Sequence, residues 1–158
     1  MKMNLREVCG AMLCGTLHPF PYALLKTPQI RLSDEQCDLI LQYAHGDCHL
    51  WTITLLEECA DLDVVVFLHD HNIIHSAAGC LSSNLFFDAN GIQTLEAIQC
   101  YWKKITHSKP EVKKVNLEKM YGLISPEPEE ISDTRKDIVF WLDTYELTST
   151  PYPQAAGY

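Results

Sequence analysis

A chain of 158 residues, 47% hydrophobic and 21% charged, can bury a sizeable core without staples, so one domain over residues 1–158 is expected. Its net charge of −9 argues against nucleic acid and against anionic membrane surfaces as partners, while leaving room for a protein partner. Seven cysteines, an odd count without paired spacing, read as reduced thiols in a cytoplasmic setting rather than a disulfide framework.

At the N-terminus, Lys2 and Arg6 precede the apolar stretch Val8–Cys14, as in a leader peptide. Glu7 interrupts that pattern and no clean small-x-small cleavage site follows, so no cleaved leader is expected. A protein exported into a target cell by a dedicated machine would not need one. Val64–Leu68 is the longest aliphatic or aromatic run, too short to span a membrane. Residues 15–32, with Pro19, Pro21 and Pro28, read as an extended arm.

Ser33-Asp34-Glu35-Gln36 has the form of a capping box, and Cys37, Ile40, Leu41 and Ala44 then recur at helical spacing. Gly46 ends this helix. Asp47 is expected to cap the next, from Cys48 to Cys59. Asp63–Leu68 reads as a buried strand, Asp70-His71-Asn72 as a turn, and Ile73–Gly79 as a returning strand. Alternation puts His75 on one face with Ala77 and Gly79, small residues expected to admit the cysteine-bearing helix. Leu85–Phe87 forms a third strand, ending in the turn sequence Asp88-Ala89-Asn90-Gly91.

Thr94 to Ile105 is a helix with Leu95, Ile98 and Trp102 on one stripe. Lys103–Lys114 reads as a basic, proline-broken connection, Asn116–Leu123 as a short helix, and Ser125–Glu130 as an acidic loop. A last helix, about Asp133 to Leu147, aligns Ile138, Trp141, Leu142 and Tyr145, and residues 150–158 form a frayed tail.

The chemistry concentrates at Cys48. A thiol in the first turn of a helix meets free backbone N–H groups and the positive end of the helix dipole, which favour thiolate. His75 is the candidate base, and Asp88 the carboxylate that fixes its tautomer. Taken singly, each has an ordinary explanation: a core thiol, a core histidine, a turn aspartate. The three together, in this order, are what point to acyl chemistry.

At these residues the chain resembles the papain-like cysteine hydrolase superfamily, and in particular its compact bacterial members: papain-fold toxin domains, effector proteases and cell-wall amidases. The resemblance runs over residues 40–105 and rests on Gly46-Asp47-Cys48-His49, His75, Phe87-Asp88-Ala89-Asn90-Gly91 and the helix opened by Thr94-Leu95-Glu96. It implies that Cys48 is the nucleophile, His75 the general base and Asp88 the orienting acid. It further implies that Gln42, six residues before the thiol, donates to the oxyanion beside the Cys48 N–H. Only 27 residues separate Cys48 from His75, so the large cleft of papain is excluded. Aspartate stands in the third position where plant enzymes have asparagine, and transglutaminase-like enzymes share the same order.

The fold expected is α+β: a papain-like core over about 33–105, its cysteine-bearing helix packed on a small antiparallel sheet of at least three strands. Flanking helices would include a helical extension over 106–158. The expected activity is hydrolysis or transfer at an amide of a protein or peptide-like substrate, through a thioester and without a cofactor. Two other readings stay open: a catalytically silent binding or immunity protein, and a zinc site around His69-Asp70-His71 with Cys48 and His49.

Overall fold

The sheet grows outward from one hairpin. Val64–Phe67 is a β-branched and aromatic run of the kind that forms a strand buried on both faces. In the computed structural model, which describes residues 4–17 and 34–144, this run lies in β1 (Asp63–His69), and β2 (Asn72–Cys80) returns antiparallel to it. Asp70 and His71 turn the chain with φ of 49° and 67°, the left-handed pair that suits the twist of a two-residue hairpin. β3 (Leu85–Asp88) and β4 (Gly91–Gln93) extend the sheet beyond β2, while β5 (Glu111–Val115) pairs with the other side of β1. The order is β4-β3-β2-β1-β5, with every neighbouring pair antiparallel.

His75 keeps the face that alternation with Ala77 and Gly79 gives it, and a bulge in β2 brings Ile74 to the same side. Phe67 pairs with His75, but the next residue, Leu68, pairs with Ile73, leaving Ile74 extra. Ile74 and His75 therefore share the face of Phe67, Ala77 and Phe86. Ser76 and Ala78 point the opposite way.

Helices cover both faces, giving an α+β architecture. On the Ser76 face lie α1 (Leu5–Cys14), α2 (Asp34–His45), α3 (Cys48–Glu58) and α6 (Pro128–Thr144), whose apolar side chains join Val64, Val66, Ala78 and Phe87 in one cluster. On the His75 face, α4 (Leu95–Thr106) sets Ile98 and Trp102 against Val65, Phe67 and Phe86. α5 (Leu117–Leu123) adds Met120 to the first cluster. α3 is the central helix, buried at every position from Trp51 to Leu56. Each of its large apolar side chains contributes about 1.5–3 kcal/mol on burial. At its C-terminal end Glu58, with a side chain only 6% exposed, meets Arg6 at 3.8 Å and Arg135 more closely, tying α1 and α6 to α3.

Three expectations are corrected. α3 does not use the small residues beside His75; it packs on the opposite face, at Ser76 and Ala78. Gly79 admits a strand instead, since a Cβ there would stand 2.0 Å from the Leu85 carbonyl oxygen and 2.6 Å from Phe86 Cα. The supposed connection Lys103–Lys114 ends in β5, so the region after residue 106 completes the sheet as well as adding helices. The acidic loop is cut short because Pro128 opens α6, and Glu130 reaches back to accept the Glu127 N–H at 3.0 Å.

α1 stands where a leader-like stretch was weighed; Asn4 caps it by accepting the Glu7 N–H at 2.9 Å, and left-handed Gly15 closes it. Ser33 of the capping box, most of the proposed arm and the tail lie outside the described residues. Among the described residues no helix is long and apolar enough to cross a membrane.

Candidate functional site

β3 pairs with β2 only at residues 78–80 of the longer strand. Asp88, the last residue of β3, reaches diagonally from there to His75. His75 Nε2 donates to Asp88 Oδ2 at 2.8 Å, with the histidine 0% and the aspartate 2% exposed. The other carboxylate oxygen, Oδ1, accepts the Asn90 N–H at 2.9 Å and Gln93 Nε2 at 3.0 Å. Three donors converge on the two oxygens of this one buried side chain. Asp88 thereby holds the Nε2 proton of His75 in place.

The second imidazole nitrogen, Nδ1, is buried and has no partner of regular hydrogen-bond geometry. The Cys48 thiol and the His75 ring are coupled electrostatically all the same. Burial pushes the Cys48 thiol up, but hydrogen bonds and charge from His49 and His75 outweigh it and bring the pKa down to about 5. Burial likewise pushes His75 down, and Asp88 together with Cys48 reverses this, raising it to about 9. The two shifts run in opposite directions, both toward a thiolate beside an imidazolium. The imidazolium lies between aromatic rings, with Trp102 at 5.1 Å and Phe67 at 5.6 Å between centroids, faces that favour a cation. Trp102 is covered in turn by His45 at 5.4 Å, whose Nε2 is 2.6 Å from the Tyr101 hydroxyl.

Cys48 opens α3 as expected, but Asp47 does not cap it. With φ −94° and ψ 30°, Asp47 leaves the extended conformation that capping needs, and its carboxylate accepts Gln42 Nε2 at 3.0 Å. The first N–H groups of α3 are thus not consumed by a side-chain cap. Gln42, the residue expected at the oxyanion, is exposed and spends its amide on Asp47, immediately before the thiol. Trp51 lies one turn beyond Cys48 in the core, 5.1 Å from Tyr43 and edge-on to Phe87 at 5.5 Å.

The structure thus brings Cys48, His75 and Asp88 together and leaves Gln42 at the edge. It also gathers Ser76 and Thr52, which the sequence did not single out, around His49, which it offered only as a zinc ligand. His49 Nδ1 is 3.6 Å from Cys48 Sγ and 2.8 Å from Ser76 Oγ, which is itself 3.1 Å from Thr52 Oγ1. Helical spacing between His49 and Thr52, together with the outward register of Ser76, was the available signal. Trp102 and Gln93 carried none, because only the packed sheet brings them to His75 and Asp88.

The histidines of the zinc reading serve the hairpin end. His69 meets Asp70 at 3.3 Å and Ser108 at 3.1 Å, and His71 is an exposed turn residue. Among the described residues no group of three or more His, Cys, Asp or Glu side chains is placed to hold a metal ion. No family model, no curated protein and no solved structure matches the chain.

Proposed function

We propose that the protein is a cysteine-dependent acyl-transfer enzyme of papain-like kind, acting on an amide of a protein or peptide-like substrate. The observation that carries this reading is the fully buried His75–Asp88 pair, whose ring joins His49 in drawing the Cys48 thiol down to about 5. A structural thiol gains nothing from such an arrangement, whereas a nucleophile needs it. In the reaction, Cys48 Sγ attacks the carbonyl carbon, the carbonyl oxygen becomes an oxyanion, and collapse expels the amine as a thioester forms. His75 supplies the proton that the leaving amine takes, and Asp88 stabilises its charged form. The Cys48 N–H at the uncapped start of α3 faces the oxyanion, and Gln42 joins it by exchanging Asp47 for the substrate. A donor of this kind is worth about 3 kcal/mol of transition-state stabilisation.

Iodoacetamide tests the reading, because the chain carries its own controls in the exposed thiols Cys14, Cys37 and Cys100. At about pH 6 an ordinary thiol is almost wholly protonated, while Cys48 is mostly thiolate. Allowing for the weaker nucleophilicity of a low-pKa thiolate, Cys48 is expected to alkylate roughly tenfold faster than the exposed cysteines. The fast phase disappears in Cys48→Ala and persists in Cys37→Ala. Uniform slow labelling of all thiols would defeat the proposal. Mass spectrometry of candidate proteins incubated with the enzyme then separates chain cleavage from deamidation.

A further inference from the structure

His75 faces Cys48 from the packed interior, 0% exposed, with its Nε2 proton held by Asp88. Cys48 has a second histidine. His49, half-buried, holds Nδ1 3.6 Å from the sulfur, and Ser76 Oγ fixes that same nitrogen at 2.8 Å. Thr52 Oγ1, one turn further along α3, holds Ser76 in turn at 3.1 Å. The Ser76 hydroxyl is able to accept from a protonated Nδ1 or donate to a neutral one, so the pair tolerates both states of the ring. On its outer side His49 lines a cleft of about 160 Å³ with Asp47, Ile124, Pro126 and Glu130, roomy enough for water.

Building on the acyl-transfer reading, we propose that His49 is the general base of the second half-reaction. Water enters through the cleft and gives a proton to His49 Nδ1, which releases the Ser76 hydroxyl to take it, as the water oxygen bonds to the thioester carbonyl carbon. The tetrahedral adduct then breaks the C–S bond and Cys48 leaves as thiolate; the new carboxylic acid passes its proton to His75 Nδ1, which gave its own to the amine, and so restores the imidazolium. The carboxylate product departs, and the proton on His49 returns to solvent through the cleft. His75 holds the thiolate from within, and His49 handles water from without. Ser76 and Thr52 act as positioning residues for that ring.

The test uses p-nitrophenyl acetate, which acylates a reactive thiol without requiring the natural substrate. The wild-type protein is expected to release a burst of nitrophenolate, followed by steady turnover. In His49→Ala the burst slows, because Cys48 loses the His49 contact that favours its thiolate, but turnover drops much further, by roughly 10²–10⁴-fold, and the acetyl form accumulates by intact mass. Added imidazole, entering the space vacated by the ring, restores part of the turnover, an effect that a merely structural role would not produce. In His75→Ala the burst itself is lost. A His49→Ala protein that keeps wild-type turnover overturns the proposal, as does one that loses burst and turnover equally and resists imidazole. Absence of a burst in the wild-type protein overturns the Cys48 reading, and the role of His49 with it.

Discussion

Asp88→Asn is expected to lower acyl transfer by about 10⁴-fold while leaving the fold recognisable, the scale on which a nucleophile–base pair depends on its carboxylate. Asp88 accepts from three donors, one on Oδ2 and two on Oδ1. Asparagine offers one oxygen and one NH₂, so one side of this set must face a donor with a donor. If the oxygen stays with Asn90 and Gln93, the NH₂ meets His75 Nε2. The ring must then shift its proton to Nδ1, the wrong tautomer for a base facing Cys48. The imidazolium loses its counter-charge in a site without solvent, and the Cys48 thiol rises toward the ordinary range. Nitrophenolate release and the alkylation rate at about pH 6 both report this. Rates within tenfold of wild type would show that the carboxylate only packs.

Gly79→Ala is expected to be strongly destabilising. The added Cβ meets Leu85 O and Phe86 Cα, backbone atoms of β3, so no side-chain rotation relieves the clash. β3 must separate from β2, and with it goes Asp88, the anchor of His75. Overpacking a well-filled interior costs about 1–3 kcal/mol, and a backbone clash belongs at or above the upper end. That is a large share of the roughly 5–15 kcal/mol by which a domain is stable. Gly10→Ala is the matched control, lying inside α1 with nothing within 4 Å of the added methyl. It is expected to raise stability by up to about 1 kcal/mol. Urea midpoints compare the two; equal midpoints would contradict the close approach of the strands.

What the sequence disclosed follows from where local pattern decides structure. The hairpin was legible because Val64–Phe67 suits only a buried strand and the Asp70–Asn72 segment reads as a turn. Asp88 was legible as a partner for His75 because it ends the adjoining strand. The bulge at Ile74 was not, because it is a property of strand pairing, and neither was the face on which α3 packs, which alternation within β2 does not decide. β4 is three residues long, too short to show alternation, yet it brings Gln93 to Asp88. β5 has only two apolar residues among Glu111, Lys113 and Lys114, the charged composition that an edge strand tolerates and a linker shares. At α6 the proline suggested a loop, although the first helical position is where proline fits a helix. His49 sat beside the nucleophile throughout; its role emerged only when Ser76 was found facing α3.

The account stands on a charged pair between Cys48 and His75, and ultraviolet titration of the thiolate reads that pair without requiring a reagent to reach the buried sulfur. The difference in thiolate absorbance between wild type and Cys48→Ser should persist as the pH falls through neutrality and fade with a midpoint near 5, where the sulfur gains its proton. A midpoint near that of a free thiol, about 8.5, would mean that the imidazolium does not hold the sulfur as an anion, and the enzymatic reading would fall with it.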